Sequence, residues 1–262
     1  MPDLMTGKRG LVMGVANDRS IAWGIAKALH AEGAELAFSY QGEAFGKRVA
    51  PLAETLGSDF LLDVDVNDDA SLDAAFEQIE ARWGKLDFLI HAIAYSDKNE
   101  LAGRFIDTSR DNFRNSLTIS CYSLVDVARR ARPLMTDGGS ITTLTYAGSN
   151  RVAPHYNVMG VAKAALESAV RYLANDLGPE GIRVNAISPG PMKTLAGAAI
   201  GGARKTFRYT AANAPLRDNA TLESIGGTAV YLACDHGLCT TGEIITVDGG
   251  IHVLGMPQPE NL

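Results

Sequence analysis

Residues 9–40, RGLVMGVANDRSIAWGIAKALHAEGAELAFSY, contain two strand-length apolar runs with an amphipathic segment between them. The runs are Arg9–Val15 and Ala34–Tyr40, and each has the length of a buried strand. The segment Ser20–Glu32 carries apolar residues at the three- and four-residue spacing of a helix with one buried face. Gly33 follows it, where a glycine ends a helix without a steric penalty. Strand, helix and strand in this order predict two parallel strands joined by a right-handed crossover.

The same alternation continues along the whole chain. The other strand candidates are near-continuous apolar runs, which favours parallel strands covered on both faces. They are Asp59–Val64, Asp87–Ile93, Ser140–Thr145, Ile182–Ile187 and Glu243–Val247. The other helix candidates are Glu43–Leu56, Ala70–Trp83, Arg110–Met135, His155–Leu177 and Leu222–Cys234. This pattern predicts an α/β fold for residues 1–262: a single-domain, doubly wound, Rossmann-type parallel sheet of about seven strands with helices on both faces.

Composition and charge exclude several classes of protein. The chain has 262 residues, 46% of them hydrophobic and 21% charged, with a formal net charge of −6. No block of Lys and Arg predicts nucleic-acid binding, and no apolar stretch predicts a membrane span or a secretory leader. Cysteines are few, which is typical of a reducing compartment, so we expect a cytoplasmic protein. No His, Cys or carboxylate cluster has metal-ligand spacing, so no metal is expected.

The turn after the first strand has the features of a phosphate-binding site. In a doubly wound sheet, ligands bind beyond the carboxyl ends of the strands. Gly14 ends the first strand there, and Ser20 and Ile21 open the following helix. Backbone N–H groups at that helix start would face a pyrophosphate. The turn lacks the full GxGxxG pattern, so a glycine that only permits a tight turn is the alternative.

The ends of the next strands predict which dinucleotide binds. Gln41 can hydrogen-bond a ribose hydroxyl but cannot neutralise a 2′-phosphate, so NADH is expected rather than NADPH. Asp65 and Val66 are candidates for holding the adenine ring, although Asp65 is also a typical turn residue. Ile93 lies between two alanines, and these apolar side chains would let the cofactor backbone lie close to the chain.

Two residues near the start of the His155–Leu177 helix candidate indicate the chemistry. Tyr156 and Lys163 are separated by close to two helical turns, which predicts that both side chains project from one face. A nearby ammonium stabilises a phenolate and makes the phenol a better proton or hydrogen-bond donor. A helical Tyr and Lys are more often surface or packing residues. Their position after a strand of a cofactor-binding sheet favours the catalytic interpretation.

Three short patterns carry a family resemblance. They are Gly14-x5-Ser20-Ile21-Ala22, His91-Ala-Ile-Ala94 and Tyr146-x9-Tyr156-x6-Lys163. They stand where most short-chain dehydrogenases/reductases have TGxxxGxG, NNAG and a Ser followed by YxxxK. From end to end the chain resembles that superfamily. More narrowly, it is similar to the bacterial NADH-dependent enoyl-acyl-carrier-protein reductases, for which the Tyr-x9-Tyr-x6-Lys pattern is specific.

The resemblance implies a reaction and the residues that perform it. Hydride from NADH would reach the β-carbon of a trans-2-enoyl thioester on acyl-carrier protein during fatty-acid elongation. Tyr156 would stabilise the enolate, and Lys163 would hold the nicotinamide ribose. Tyr146 would line the acyl pocket or assist protonation at the α-carbon, with a packing aromatic as the alternative. The resemblance also assigns substrate contacts to Ser96 and Met159, and cofactor contacts to Met192, Thr194, Leu195 and Ala196.

Two segments near the expected substrate pocket differ in how well they match the family. The stretch near 192–212 resembles the family's substrate-covering loop, and its Gly- and Ala-rich sequence fits no strand. The segment Tyr95–Arg104, YSDKNELAGR, lacks the Pro-containing form expected at the pocket mouth. The pair Arg204-Lys205 could attract an acidic carrier protein, with a solvated charged face as the alternative. The resemblance further implies a homotetramer.

Two other functions stay open at this point. One is a carbonyl reductase that uses the same Tyr and Lys to protonate an alkoxide. The other is a dinucleotide-binding sensor without catalytic activity. His91, at the end of a buried strand candidate, is expected to be structural.

Overall fold

The computed structural model describes residues 3–194 and 203–261. Its strands form one sheet in the order β3-β2-β1-β4-β5-β6-β7, and every neighbouring pair is parallel. The seven predicted strands are all present, with only their ends shifted, so the predicted fold class is confirmed. The strands are β1 (Arg9–Met13), β2 (Glu35–Tyr40), β3 (Leu61–Asp63), β4 (Phe88–His91), β5 (Gly139–Leu144), β6 (Ile182–Pro189) and β7 (Ile244–Val247).

Helices cover both faces of the sheet and contribute apolar side chains to two buried clusters, one on each face. On one face α1, α2 and α9 pack together, and on the other α3, α6 and α7 do so. In the described part of the chain the helices are α1 (Ile21–Ala31), α2 (Gly42–Thr55), α3 (Asp69–Trp83), α4 (Lys98–Leu101), α5 (Arg110–Leu117), α6 (Ser123–Ala131), α7 (Val158–Leu177), α8 (Ala203–Asn213) and α9 (Leu222–Ala233).

The observed helices differ from the predicted ones in several places. The segment predicted as one helix over Arg110–Met135 is interrupted by a π-helical turn at Thr118–Tyr122. The Ser123 hydroxyl donates to the Ile119 carbonyl at 2.6 Å, and such back-bonding competes with the regular helical ladder. The helices α4 and α8 were not expected, since α4 is one turn long and α8 lies in a stretch that we interpreted as irregular.

The sheet order places a crevice at the carboxyl ends of β1 and β4. From β1 the chain continues to β2 and β3 on one side of the sheet, and it then crosses back to β4, from which it continues to β7 on the other side. The connections that follow β1 and β4 therefore run in opposite directions. Ligands bind at this switch point in open α/β sheets. None of the helices within 3–194 and 203–261 combines the length and apolar character needed to cross a membrane.

Candidate active site

The turn that follows β1 approaches the end of β4 very closely. Gly14 has a φ of +96°, and a Cβ there would lie 2.1 Å from the carbonyl oxygen of Ala92. The Ser20 hydroxyl accepts hydrogen bonds from the N–H groups of Ala16 at 3.0 Å and Asn17 at 3.1 Å. Only glycine therefore fits at the base of this turn, and Ser20 closes the turn from the side of the helix.

The start of α1 suits an anionic group. Ser20 is the residue before the helix, but its side chain is used in the turn and makes no capping bond. A helix start without a side-chain cap can bind a phosphate through its backbone N–H groups and its dipole. The residues Gly14, Ser20 and Ile21 thus fit the pyrophosphate of a dinucleotide, at the crevice between β1 and β4.

The other predicted cofactor residues follow β2, β3 and β4 along the same edge of the sheet. Gln41 is exposed directly before α2 and makes no capping bond. The carboxylate of Asp65 accepts the N–H of Asn67 at 2.9 Å, so Asp65 stabilises the turn after β3. Val66 and Ile93 are half-buried and pack against the core cluster of α3, α6 and α7. These positions meet at the edge where a dinucleotide would extend from its pyrophosphate.

Tyr156 does not lie on the helix with Lys163, so that part of the prediction is wrong. The helix α7 begins at Val158, and Tyr156 lies in a turn before it. Both neighbours of Tyr156 have positive φ: His155 at +64° and Asn157 at +41°. The long Tyr–Lys spacing therefore contains a turn, and this turn rather than a shared helical face orients the tyrosine.

The phenol of Tyr156 is buried in a small apolar cluster. Its ring meets that of Tyr146 edge-on, with 5.0 Å between the centroids. A Cβ on Gly148 would lie 2.4 Å from the Tyr156 ring, so the chain leaves room for the ring there. Burial raises the pKa of Tyr156 above its usual value, and Tyr146 and Glu167 raise it further. The phenolate is thus disfavoured, and Tyr156 is a protonated hydrogen-bond donor whose pKa is not lowered by a nearby ammonium, in contrast to the prediction from the sequence.

Lys163 lies in the second turn of α7 and is almost fully buried. Its Nζ donates to the Leu144 carbonyl at the end of β5, at 2.7 Å. Burial lowers the pKa of Lys163 to about 8, while Cys121 and Glu167 act in the opposite direction. Lys163 therefore joins the helix to the strand end and still carries a charge at neutral pH.

The predicted substrate residues lie on two sides of Tyr156. Met159 is buried with Tyr156 and Leu101 in the same apolar cluster. Ser96 is half-buried, and its hydroxyl takes part in bonds with Asn112 at 3.3 Å and Ser116 at 3.0 Å on α5. An acyl chain beside Tyr156 would contact the apolar cluster that contains Met159. Ser96 belongs instead to a polar network with α5.

The segment after β6 is described only in part. Met192 is half-buried against the cluster of α1, α2 and α9, and Thr194 is also half-buried. Leu195 and Ala196, and the rest of 195–202, lie outside the described residues. The ammonium of Lys193, which precedes this segment, lies 4.4 Å from the ring centroid of Phe207, which follows it on α8. The second half of the predicted 192–212 loop is helical from residue 203 onward, since it belongs to α8.

His91 is structural, as expected. Its ring is fully buried at the end of β4, with Nδ1 3.0 Å from the Thr143 hydroxyl and Nε2 2.9 Å from the Ser123 hydroxyl. Burial lowers the pKa of His91 to about 3, and the charge of Lys163 adds to the effect. The neutral ring therefore joins β4 to β5 and α6 near the charge of Lys163.

We expect His91 to make the protein acid-sensitive. Its pKa is about 3 when folded and about 6.5 when unfolded, so only the unfolded chain binds this proton between those values. Stability is complete above about pH 6.5 and falls toward pH 3 by up to about 1.4 kcal/mol per pH unit. Urea unfolding of the wild type and of His91→Gln at several pH values should show a shallower loss in the variant. Equal slopes would contradict this, and His236→Gln, at an exposed position, is the control.

Sequence reasoning missed two residues that touch the site. Glu167 lies one helical turn after Lys163 and accepts the Thr145 hydroxyl at 2.6 Å. The four-residue spacing between Lys163 and Glu167 could have identified Glu167 from the sequence, because residues at this spacing are neighbours on a helix. Asn157 was quoted only as part of a spacing, although asparagine is enriched where φ is positive. No group of three or more His, Cys, Asp or Glu in the described ranges is arranged to hold a metal ion.

The chain is similar to known proteins in both sequence and fold. A family model described as enoyl-(acyl carrier protein) reductase matches residues 14–252. A curated relative from Rhizobium meliloti, enoyl-[acyl-carrier-protein] reductase [NADH] 2, is 59% identical over 262 residues, which are 100% of this chain and 98% of that protein. The crystal structure of the reductase from Anaplasma phagocytophilum in complex with NAD has a TM-score of 0.94 and 55% identity, covering 97% of both chains.

A second solved structure carries the other dinucleotide. It is the enoyl-acyl carrier protein reductase of Bacillus cereus with NADP+ and an indole naphthyridinone. It has a TM-score of 0.95 and 50% identity, and covers 97% of this chain and 99% of that one. By the matched family model and by full-length relatives, this chain belongs to the enoyl-acyl-carrier-protein reductase family.

Proposed function

We propose that this protein is an NADH-dependent enoyl-acyl-carrier-protein reductase of fatty-acid elongation. The observation that carries the proposal is that the buried, protonated phenol of Tyr156 packs against Tyr146 just after β5, while the charged Lys163 donates to Leu144 at the end of the same strand. The edge of the sheet at these strand ends suits a dinucleotide. Full-length relatives carry the name of an NADH-dependent enoyl reductase, which supports the same activity. The substrate is a trans-2-enoyl thioester on acyl-carrier protein.

The residues of the chain perform the reaction by stabilising charge. NADH, when bound, supplies the hydride that forms the new C–H bond at the β-carbon. The π electrons of the double bond then move toward the thioester oxygen, and Tyr156 donates a hydrogen bond to that oxygen as negative charge develops there. Lys163 holds the nicotinamide ribose, and its positive charge favours the developing anion. Proton transfer to the α-carbon completes the saturated thioester, and we assign Tyr146 to the acyl pocket or to that transfer.

The first experiment compares two cofactors and two substrates. NADH and NADPH oxidation are followed with a trans-2-enoyl thioester and, in parallel, with a 3-oxoacyl thioester. NADH-dependent loss of the enoyl double bond is the expected result. Reduction of only the 3-oxoacyl thioester would mean a carbonyl reductase. Binding of NADH without turnover of either substrate would favour a sensor.

Gln41 is proposed to set the preference for NADH. Because Gln41 is exposed at the end of β2 and uncharged, Gln41→Arg would place a cation where the 2′-phosphate of NADPH lies. We expect the ratio of kcat/KM for NADPH to that for NADH to rise about tenfold or more. Gln41→Glu is the matched control and should lower the same ratio. An unchanged ratio in both variants would remove Gln41 from cofactor selection.

The other site assignments are parts of the same proposal. Residues 1–262 form one reductase domain, whose segment 192–212 covers the substrate. The substrate contacts are Ser96, Tyr146, Tyr156 and Met159. The cofactor contacts are Gly14, Ser20, Ile21, Gln41, Asp65, Val66, Ile93, Lys163, Met192, Thr194, Leu195 and Ala196.

We also propose a cytoplasmic homotetramer. Leu216, Val253 and Met256 each expose more than 60% of their surface, with values of 77%, 66% and 67%, although they are apolar. This exposure supports association through the C-terminal part of the chain. Cys121, Cys234 and Cys239 are free thiols, as is typical of a reducing compartment. Light scattering at micromolar concentration should give the mass of four chains, and the mass of a single 27.8 kDa chain would contradict the tetramer.

A further inference from the structure

Asn157 binds the backbone of a distant segment although it directly follows Tyr156. Its side-chain Nδ2 donates to the carbonyl oxygens of Gly103 at 2.9 Å and Leu101 at 3.0 Å. A third carbonyl, that of Glu100, lies 3.4 Å away. The two N–H bonds of one carboxamide are thus directed at a group of carbonyls from the end of α4 and the turn after it.

The backbone of Asn157 is unfavourable for any residue with a side chain. Its φ of +41° and ψ of −123° fall in a region that glycine adopts readily and other residues rarely. Glycine would relieve this strain, but glycine has no carboxamide. The asparagine is therefore explained by its side-chain bonds rather than by its backbone.

The segment that Asn157 binds forms one wall beside Tyr156. We call residues 98–103 the wall segment. Within it, Leu101 is buried against Tyr156 and Met159. Any movement of the wall segment would change the apolar space next to the phenol, which is where the acyl chain of the proposed substrate would lie.

The wall segment is anchored elsewhere by bonds that do not involve Asn157. At its base, the Asn112 side-chain oxygen accepts the N–H of Asp97 at 3.0 Å, and the Ser120 hydroxyl accepts the N–H of Tyr95 at 3.0 Å. Within it, the Glu100 carboxylate accepts the N–H and the hydroxyl of Ser109 at 2.9 and 2.8 Å. Loss of the Asn157 carboxamide would therefore leave the segment folded and break only its link to the tyrosine turn.

We propose that Asn157 is a positioning residue that couples the wall segment to the Tyr156 turn. Its carboxamide fixes the distance between the wall and the phenol, so that contact with a long acyl chain and orientation of Tyr156 are set together. The inference rests on the proposed function, because it names the pocket wall of the same site. Recognition of chain length and placement of the phenol then depend on one hydrogen-bonded link, the Asn157 carboxamide.

Two variants of Asn157 test the coupling. Asn157→Gly keeps the backbone conformation and removes the carboxamide. Asn157→Asp keeps the shape but replaces the NH2 donor group by a carboxylate oxygen, an acceptor that would face the carbonyl oxygens. We expect Asn157→Gly to raise KM for a dodec-2-enoyl thioester about tenfold, with a change of less than about threefold for crotonyl thioester. Asn157→Asp should have the larger effect, and the affinity for NADH should stay as in the wild type in both.

The control variant is Asn115→Asp, which makes the same chemical change on the exposed face of α5. It should leave both substrates unaffected. Hydrogen exchange by mass spectrometry gives a readout that does not depend on activity: amides of residues 98–103 should exchange faster in Asn157→Gly than in the wild type, with an unchanged thermal melting temperature.

Several results would overturn the coupling. Wild-type KM values for both chain lengths in Asn157→Gly would do so, as would an equal fall in kcat for both thioesters at unchanged KM. Unchanged exchange at residues 98–103 would exclude the physical link itself. A wild-type protein that oxidises no NADH with any enoyl thioester contradicts the proposed function instead, and the exchange measurement then still decides whether the link exists.

Discussion

Replacement of Tyr156 by phenylalanine is expected to lower kcat for a trans-2-enoyl thioester by about 10²–10³-fold. The substitution removes one O–H group and keeps the ring that packs edge-on against Tyr146. Burial holds the pKa of this phenol above its usual value, so the wild-type O–H is a donor throughout the neutral range. Without it, the charge that develops on the thioester oxygen loses the hydrogen bond of a buried donor.

Steady-state kinetics of NADH oxidation measure this loss. The affinity for NADH should stay close to that of the wild type, since Tyr156→Phe changes no residue assigned to the cofactor. Tyr172→Phe is the matched control, because Tyr172 lies on α7 with 72% of its surface exposed. Tyr146→Phe should cause a smaller loss than Tyr156→Phe. If Tyr156→Phe turned over as fast as the wild type, Tyr156 would have no part in the chemistry.

The second large effect is expected for Lys163→Met. Methionine has a similar length and can fill the buried site, but it has no charge and cannot donate to the Leu144 carbonyl. The nicotinamide ribose would lose its ligand, and the reaction would lose a nearby positive charge. We expect kcat/KM for NADH to fall by about 10²–10³-fold, with weaker NADH binding in a fluorescence titration.

The exposed lysine of α1, Lys27, offers the control, and Lys27→Met should leave both quantities unchanged. Unchanged NADH binding and turnover in Lys163→Met would show that Lys163 only supports the fold.

The lowered pKa of Lys163 predicts how activity and stability should change with pH in the same two proteins. Because burial lowers this pKa to about 8, wild-type activity should fall as the pH rises through about 8 and the amine loses its charge. The folded pKa lies below the ordinary value of 10.5, so the cost of burying the charged form is complete below about pH 8. That cost decreases as the pH rises toward 10.5, and the wild type should gain stability relative to Lys163→Met over this range.

The strands were predictable because their sequence pattern is local. A strand buried on both faces needs several apolar residues in succession, and β1, β4 and β6 each show such a run. The candidate residues Tyr156 and Lys163 could be named from residue type and spacing, because both follow a strand of that sheet. The start of α7 could not be predicted from the sequence. The turn before it, with its positive φ angles, depends on bonds from Asn157 to Leu101, 56 positions away.

Apolar runs in their order along the chain are enough to predict the parallel sheet, its two layers of helices and the edge where a dinucleotide binds. They carry no information about how deeply one side chain is buried. The protonation of the site was decided only in three dimensions, where the Tyr156 ring packs against Tyr146 and Lys163 is enclosed beneath the end of β5. Desolvation raises one pKa and lowers the other, and it depends on neighbours that the fold brings together from distant parts of the chain.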